Sequence, residues 1–160
     1  MGTQIIVNPV QSKEELYKSL LPQIQSLLGG ESDLIANLSN VSAALKMCFS
    51  YYSWVGFYLK RGNELVLGPF QGKPACVRIA MGKGVCGTAA ERKETVIVPD
   101  VRKFPGHIFC DPNSCSEIVV PIIKGDLRGV MDIDSVSINS FDEIDRKYLE
   151  KLVQMLVHYF

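Results

Sequence analysis

The stretch SWVGFYLKRGNELVLGPF, Ser53 to Phe70, decides how this chain folds. Two apolar runs flank Arg61-Gly62-Asn63, a turn rich in residues that accept left-handed backbone, so the stretch reads as a β-hairpin. Successive strand residues point to opposite faces of a sheet. Val55, Phe57 and Leu59 therefore share one face, and Trp54, Gly56 and Tyr58 share the other. Gly56 leaves space between two aromatic rings.

The same alternation recurs downstream. In VMDIDS, Asp132 and Asp134 share a face while Met131 and Ile133 take the opposite one. EIVVPII and LRGVMDIDS are strands joined at Lys124-Gly125-Asp126, and ACVRIA and TVIVPD are shorter strands. Between those two, MGKGVCGTAAERK opens on a glycine-rich turn and becomes a short helix. Upstream, Ser12 and Glu15 form a capping box. They open a helix with Leu16, Leu20, Ile24 and Leu27 on one side, closed by Gly29-Gly30, in which Pro22 is expected to introduce a kink. A second helix starts near Ser32, with Leu34, Leu38, Val41, Leu45 and Cys48 on one stripe. Ser140 and Glu143 make another capping box before a helix carrying Phe141, Ile144, Tyr148, Leu152, Met155, Leu156 and Phe160. The order predicts an α+β domain spanning residues 1–160. Its mainly antiparallel sheet has the terminal helices on one side and a pocket on the other.

A chain of 160 residues can bury a core without staples. Lys plus Arg and Asp plus Glu number 17 each and no basic run stands out, which argues against a nucleic-acid or membrane-surface protein. No leader pattern and no membrane-length apolar window is visible, so a cytoplasmic location is expected. There thiols stay reduced, and an accessible cysteine reads as catalytic, redox-active or metal-binding before structural.

Five cysteines are present: Cys48, Cys76, Cys86, Cys110 and Cys115. Cys48 lies on a helical apolar stripe, and Cys76 starts a strand, so both fit a core. Cys86 sits where the internal helix begins. A helix N-terminus favours a thiolate, whereas a packed interior keeps a thiol inert, and the residues alone leave both readings open. Cys110 lies in the long connection from Asp100 to Ser116, beside His107 and Asp111. Thiolate nucleophiles need access and a field that favours the anion, and His107 could supply it or could simply hold the loop by a hydrogen bond. The spacings Cys76-x9-Cys86 and Cys86-x23-Cys110 are not those of a structural zinc site, and no metal is expected. The face with Trp54 and Tyr58, together with Asp132, Asp134 and Glu117, is either a wetted sheet face or a pocket for a small cationic or zwitterionic ligand.

On the stretches SWVGFY, GKPACVRIAMGKGVCGTAA, VPDVRKFPGHIFCDPNSCSEIVVPI and GVMDIDS, the chain resembles a GAF domain, and its motifs are similar to those of the free methionine-(R)-sulfoxide reductases. The resemblance runs from about Glu15 to the C-terminus. It implies reduction of free L-methionine (R)-sulfoxide to methionine, with thioredoxin as reductant, no cofactor, and a homodimer. It implies Cys110 as catalytic cysteine and Cys76 and Cys86 as resolving cysteines, with Cys76 the main resolver. Trp54 and Tyr58 would ring the substrate, and Glu117, Asp132 and Asp134 would bind it and handle protons, with Asp134 or Glu117 as donor. The chain departs from the pattern at Arg102, where His is common, at Phe109, where Ala is common and the bulk would alter the loop, and at the extra thiol Cys115. Two alternatives stand beside this reading: a GAF module that senses a small molecule without catalysis, and a thiol redox sensor switching through Cys110 and Cys76.

Overall fold

In the computed structural model, residues 4–7, 11–108 and 110–160 are described, which leaves Phe109 outside the described residues. The order is α1 (Lys13–Leu28), α2 (Leu34–Cys48), β1 (Trp54–Arg61), β2 (Glu64–Gln71), β3 (Arg78–Ala80), α3 (Gly84–Arg92), β4 (Val96–Val98), β5 (Ser116–Lys124), β6 (Asp126–Ser135) and α4 (Glu143–Leu156). Short 3-10 turns cover Val101–Lys103 and Val157–Tyr159. The described strands form a six-stranded sheet ordered β3-β2-β1-β6-β5-β4, with every adjacent pair antiparallel.

The period-two pattern sorts the sheet into two faces. Val55, Phe57, Met131, Ile133, Ile118 and Val120 point to one side and are buried against α1, α2 and α4. Tyr58, Val130 and Val119 point to the other, where α3 covers part of the sheet. The terminal helices and the pocket thus take opposite sides, as the alternation predicts.

At α1 both bonds of the Ser12/Glu15 box form, and Pro22 lies inside the helix without ending it. At α4 the expectation is corrected. The cap is Asp142, whose carboxylate accepts the Ile144 and Asp145 amides, and Asp145 closes the box. The Ser140 hydroxyl is engaged elsewhere, within hydrogen-bonding distance of Ser135 Oγ (2.8 Å) and Ser137 O (3.0 Å). A polar knot ties α1 to α4: Asp145 accepts from Tyr17 Oη (2.8 Å) and Tyr51 Oη (3.0 Å) and pairs with Lys13 Nζ (2.5 Å).

ACVRIA is strand only at Arg78–Ala80. Cys76 precedes β3 in a loop and is half-buried, not a core residue at a strand start. Its carbonyl accepts from Tyr58 Oη at 2.9 Å, so a side-chain donor holds it, and backbone bonding to β2 begins one residue on, where Val77 O accepts the Leu67 amide at 2.9 Å.

Candidate active site

The pocket face carries a cavity of about 40 Å³ between the sheet, the start of α3, and the two cysteine loops. Its floor is set by strand register. Trp54 stands opposite Asp134, which stands opposite Glu117, so these three form one row across β1, β6 and β5. The next row is Gly56, Asp132 and Val119. A row of this kind brings its side chains within reach of one another. Gly56 is required for its lack of a side chain: a Cβ there would lie 2.4 Å from Phe70 Cβ and 2.7 Å from Trp54 Cη2. The freed space lets Trp54 stack on Phe70 (5.3 Å between centroids) and on Tyr58 (6.0 Å).

The aromatic wall also holds the loop above it. Trp54 Nε1 donates to Lys73 O at 3.1 Å and Tyr58 Oη to Cys76 O. From this loop Cys76 is disulfide-bonded to Cys110 of the β4–β5 connection, with Cα atoms 5.4 Å apart. An ion pair from Lys73 to Asp111 (3.1 Å) runs between the same two loops. The Asn113 amide and Lys73 hold the Asp111 carboxyl below its ordinary range.

Opposite the disulfide lies the start of α3. Gly84 has φ +60°, and a Cβ on it would press on Ile108 at 3.2 Å, so a residue without one admits the β4–β5 connection to this helix end. The N-cap residue of α3, Lys83, makes no side-chain hydrogen bond to the first amides of the helix, and Lys83 and Gly84 line the cavity. Cys86 is buried, with its Sγ 3.9 Å from Glu117 Oε1. Burial, then the Asp132 and Glu117 charges, push its thiol far above the ordinary range. The helix-start reading, a thiolate, gives way to a buried thiol.

Burial also governs the three acids. It pushes Glu117 and Asp134 far above the carboxylate range, with Asp132 adding repulsion to both. Asp132 is pushed up to about 6 by burial, against the hydrogen-bonding pull of Cys86, Glu117 and the Ile133 amide. Burial thus favours the neutral form of all three acids. Asp132 Oδ1 is buried with no hydrogen-bond partner among the described residues. Cys86 Sγ and one carboxylate oxygen each from Glu117 and Asp132 lie within 4.8 Å of one another, a set able to ligate a metal that no sequence spacing announces.

All eight residues singled out in the sequence line or flank this cavity, with Cys76 joined to it through the disulfide. Two more residues join them. His107, placed by the sequence only as a neighbour of Cys110, reaches the acids, with Nδ1 3.9 Å from Glu117 Oε2, and burial lowers its pKa. Ser114, which no sequence signal marks, donates to the Asp134 carboxyl. Arg102 instead pairs with Asp100 at 2.8 Å on the surface, and Cys115 Sγ donates weakly to Asn113 O (3.6 Å) outside the cavity lining. Among the described residues no helix is long and apolar enough to cross a membrane.

Residues 40–156 match the GAF domain family model. The chain is 60% identical over 147 residues to GAF domain-containing protein A of Dictyostelium discoideum, covering 91% of this chain and 92% of that one. It is 49% identical over 154 residues to the free methionine-R-sulfoxide reductase of Saccharomyces cerevisiae, covering 91% and 86%. Its fold superposes on a free methionine-R-sulfoxide reductase of Neisseria meningitidis, solved with its substrate, at a TM-score of 0.94 and 45% identity, over 98% of this chain and 96% of that one.

Proposed function

This chain belongs to the GAF-domain family, among its free methionine-R-sulfoxide reductases, and is an oxidoreductase, and we propose that it reduces free L-methionine (R)-sulfoxide to L-methionine by thiol chemistry. The observation that carries the reading is the Cys76–Cys110 disulfide at the edge of a cavity walled by Trp54 and Tyr58 and floored by Glu117, Asp132 and Asp134.

In the reduced protein, the Cys110 thiolate attacks the sulfoxide sulfur. The oxygen leaves only when protonated, and a buried carboxylic acid still protonated at neutral pH is suited to donate. Burial favours the protonated form of Glu117 and of Asp134, which makes them the candidate donors. Asp132, the one that ionises lowest of the three, receives the substrate's ammonium group. The uncapped amides of α3 and Lys83 receive its carboxylate. Attack forms a sulfur–sulfur bond and the oxygen leaves as water; a water then adds to the Cys110 sulfur and breaks that bond, so Cys110 becomes a sulfenic acid and methionine departs reduced by two electrons. The Cys76 thiol then attacks Cys110: an S–S bond forms, the S–O bond breaks, and water leaves. Thioredoxin exchanges that disulfide by way of a mixed disulfide. Cys86 remains a second resolving thiol, and the bond between Cys76 and Cys110, with Cys86 free and buried, favours Cys76 as first in line.

A pocket sized for a free amino acid would exclude a residue within a polypeptide. The test is chromatography of methionine after incubation with each sulfoxide epimer, free and peptide-bound, under a thiol reductant. Turnover of the free R epimer alone is expected, and Cys110→Ser should abolish it with any reductant. Equal rates on peptide-bound sulfoxide, or a Cys110→Ser protein that still turns over with dithiothreitol, overturn the reading.

A further inference from the structure

We propose that Cys86, Glu117 and Asp132 form a zinc site on the cavity floor, which the disulfide leaves intact and whose occupation blocks the substrate's ammonium position.

The three ligand atoms lie within 4.8 Å of one another, and Cys86 Sγ to Glu117 Oε1 is 3.9 Å. For zinc–sulfur bonds of about 2.3 Å and zinc–oxygen bonds of about 2.0–2.1 Å, a tetrahedral arrangement holds such a pair about 3.5 Å apart. The cluster is thus within a small side-chain adjustment of that geometry. A second, separate observation points to a cation. Asp132 is only 6% exposed, and its Oδ1 has no hydrogen-bond partner among the described residues. A buried carboxylate oxygen without a donor is costly, and a bound cation satisfies it.

The donor set selects the metal. A thiolate with two carboxylates suits zinc, whereas magnesium and calcium take oxygen ligands. Three protein ligands beside a small cavity leave the fourth position to water, the arrangement of an open zinc site. Binding requires the Cys86 thiol and the Glu117 carboxyl in their ionised forms, with the metal's charge replacing any proton released to solvent. Cys86 takes no part in the Cys76–Cys110 disulfide, so the ligands are present in the oxidised protein. The site stands on geometry alone. Its consequence for turnover rests on the function proposed above.

The test uses disulfide-intact protein without thiol reductant, titrated with cobalt(II) chloride and followed by the near-ultraviolet thiolate-to-cobalt charge-transfer band, with zinc chloride calorimetry in parallel. One metal per chain and a charge-transfer band are expected. The band should persist in Cys115→Ser and vanish in Cys86→Ser. Absence of the band from the wild-type protein, its survival in Cys86→Ser or its loss in Cys115→Ser overturns the proposal. Where Cys86→Ser fails to fold, Asp132→Asn and Glu117→Gln decide: zinc affinity should fall about tenfold or more in each, and unchanged affinity in both overturns it. Zinc should also inhibit methionine formation driven by thioredoxin, with chelator restoring it. Zinc binding at Cys86 in a protein that makes no methionine supports the site and counts against the assigned reaction. Methionine formation in a protein that binds no zinc sinks the site alone.

Discussion

Replacing Asp132 by Asn should stabilise the protein at alkaline pH while damaging its chemistry. The carboxyl is 6% exposed, and burial raises its pKa from 3.8 to about 6. A raised carboxyl pKa means that the folded state holds the proton more tightly than the unfolded chain. Its contribution to stability is complete below pH 3.8 and is lost as pH rises through about 6. A tenfold difference in proton affinity between folded and unfolded chain is worth about 1.4 kcal/mol, so keeping Asp132 ionised in the folded protein costs about 3 kcal/mol well above pH 6. Asn keeps the size and removes the charge. It also removes the repulsion that Asp132 exerts on Glu117 and Asp134, which adds in the same direction.

The assay is urea unfolding of the disulfide-intact protein, followed by the fluorescence of its single tryptophan, Trp54. Wild type and Asp132→Asn are compared at about pH 4.5 and about pH 8. The variant's advantage should grow by about 2 kcal/mol between the two, because the folded wild type must give up the Asp132 proton over that interval. Substrate affinity should fall in the same variant, since the ammonium group loses its anion. A stability difference that is the same at both pH values, or a variant less stable than wild type at the alkaline one, refutes the reasoning.

Gly56→Ala should lose about 1–3 kcal/mol and raise KM, because the new methyl meets Phe70 Cβ at 2.4 Å and Phe70 Cα at 2.9 Å and the neighbouring strand has no free side-chain end to yield. Denaturant midpoints and a KM determination check both halves. Tyr58→Phe removes the hydrogen bond to the Cys76 carbonyl, worth about 1 kcal/mol. Trapping of thiols after a single dose of sulfoxide should show slower disulfide formation with the first methionine still released, and an unchanged rate argues against a positioning role. Lys13→Met strands Asp145, whose side chain is fully buried, and should cost about 3 kcal/mol or more. Methionine formed per folded molecule should stay at the wild-type level, because Lys13 lies on the helix side of the sheet.

What the sequence made legible follows from periodicity. The alternation in Trp54–Leu59 and in Val130–Ser135 placed the rings and the acids on one face without any structure, since a strand has only two faces to choose between. The α4 cap was ambiguous in kind. Ser140-x-x-Glu143 and Asp142-x-x-Asp145 fit one rule in two frames, and contacts of Ser140 with Ser135 and Ser137 decided between them. Cys76 was misplaced because ACVRIA is apolar enough for a strand, and the competing donor, Tyr58 Oη, is 18 residues away. The thiol–carboxylate cluster was invisible for a similar reason. Cys86 and Glu117 are 31 residues apart, and ligand-spacing rules read only near neighbours.

One register sets both the core and the site. Pairing β6 between β1 and β5 puts Asp132 and Asp134 over the pocket and, by the same alternation, Met131 and Ile133 into the helix layer, where both are fully buried. A slip of one residue would exchange the two sets. It would bring Met131 and Ile133 out of their layer, at about 1.5–3 kcal/mol each, and drive two carboxylates into an apolar interior. The cost of an ionised Asp132 is of the same order as the burial of one such side chain. A strand whose apolar residues anchor it so firmly can carry buried acids on its other face.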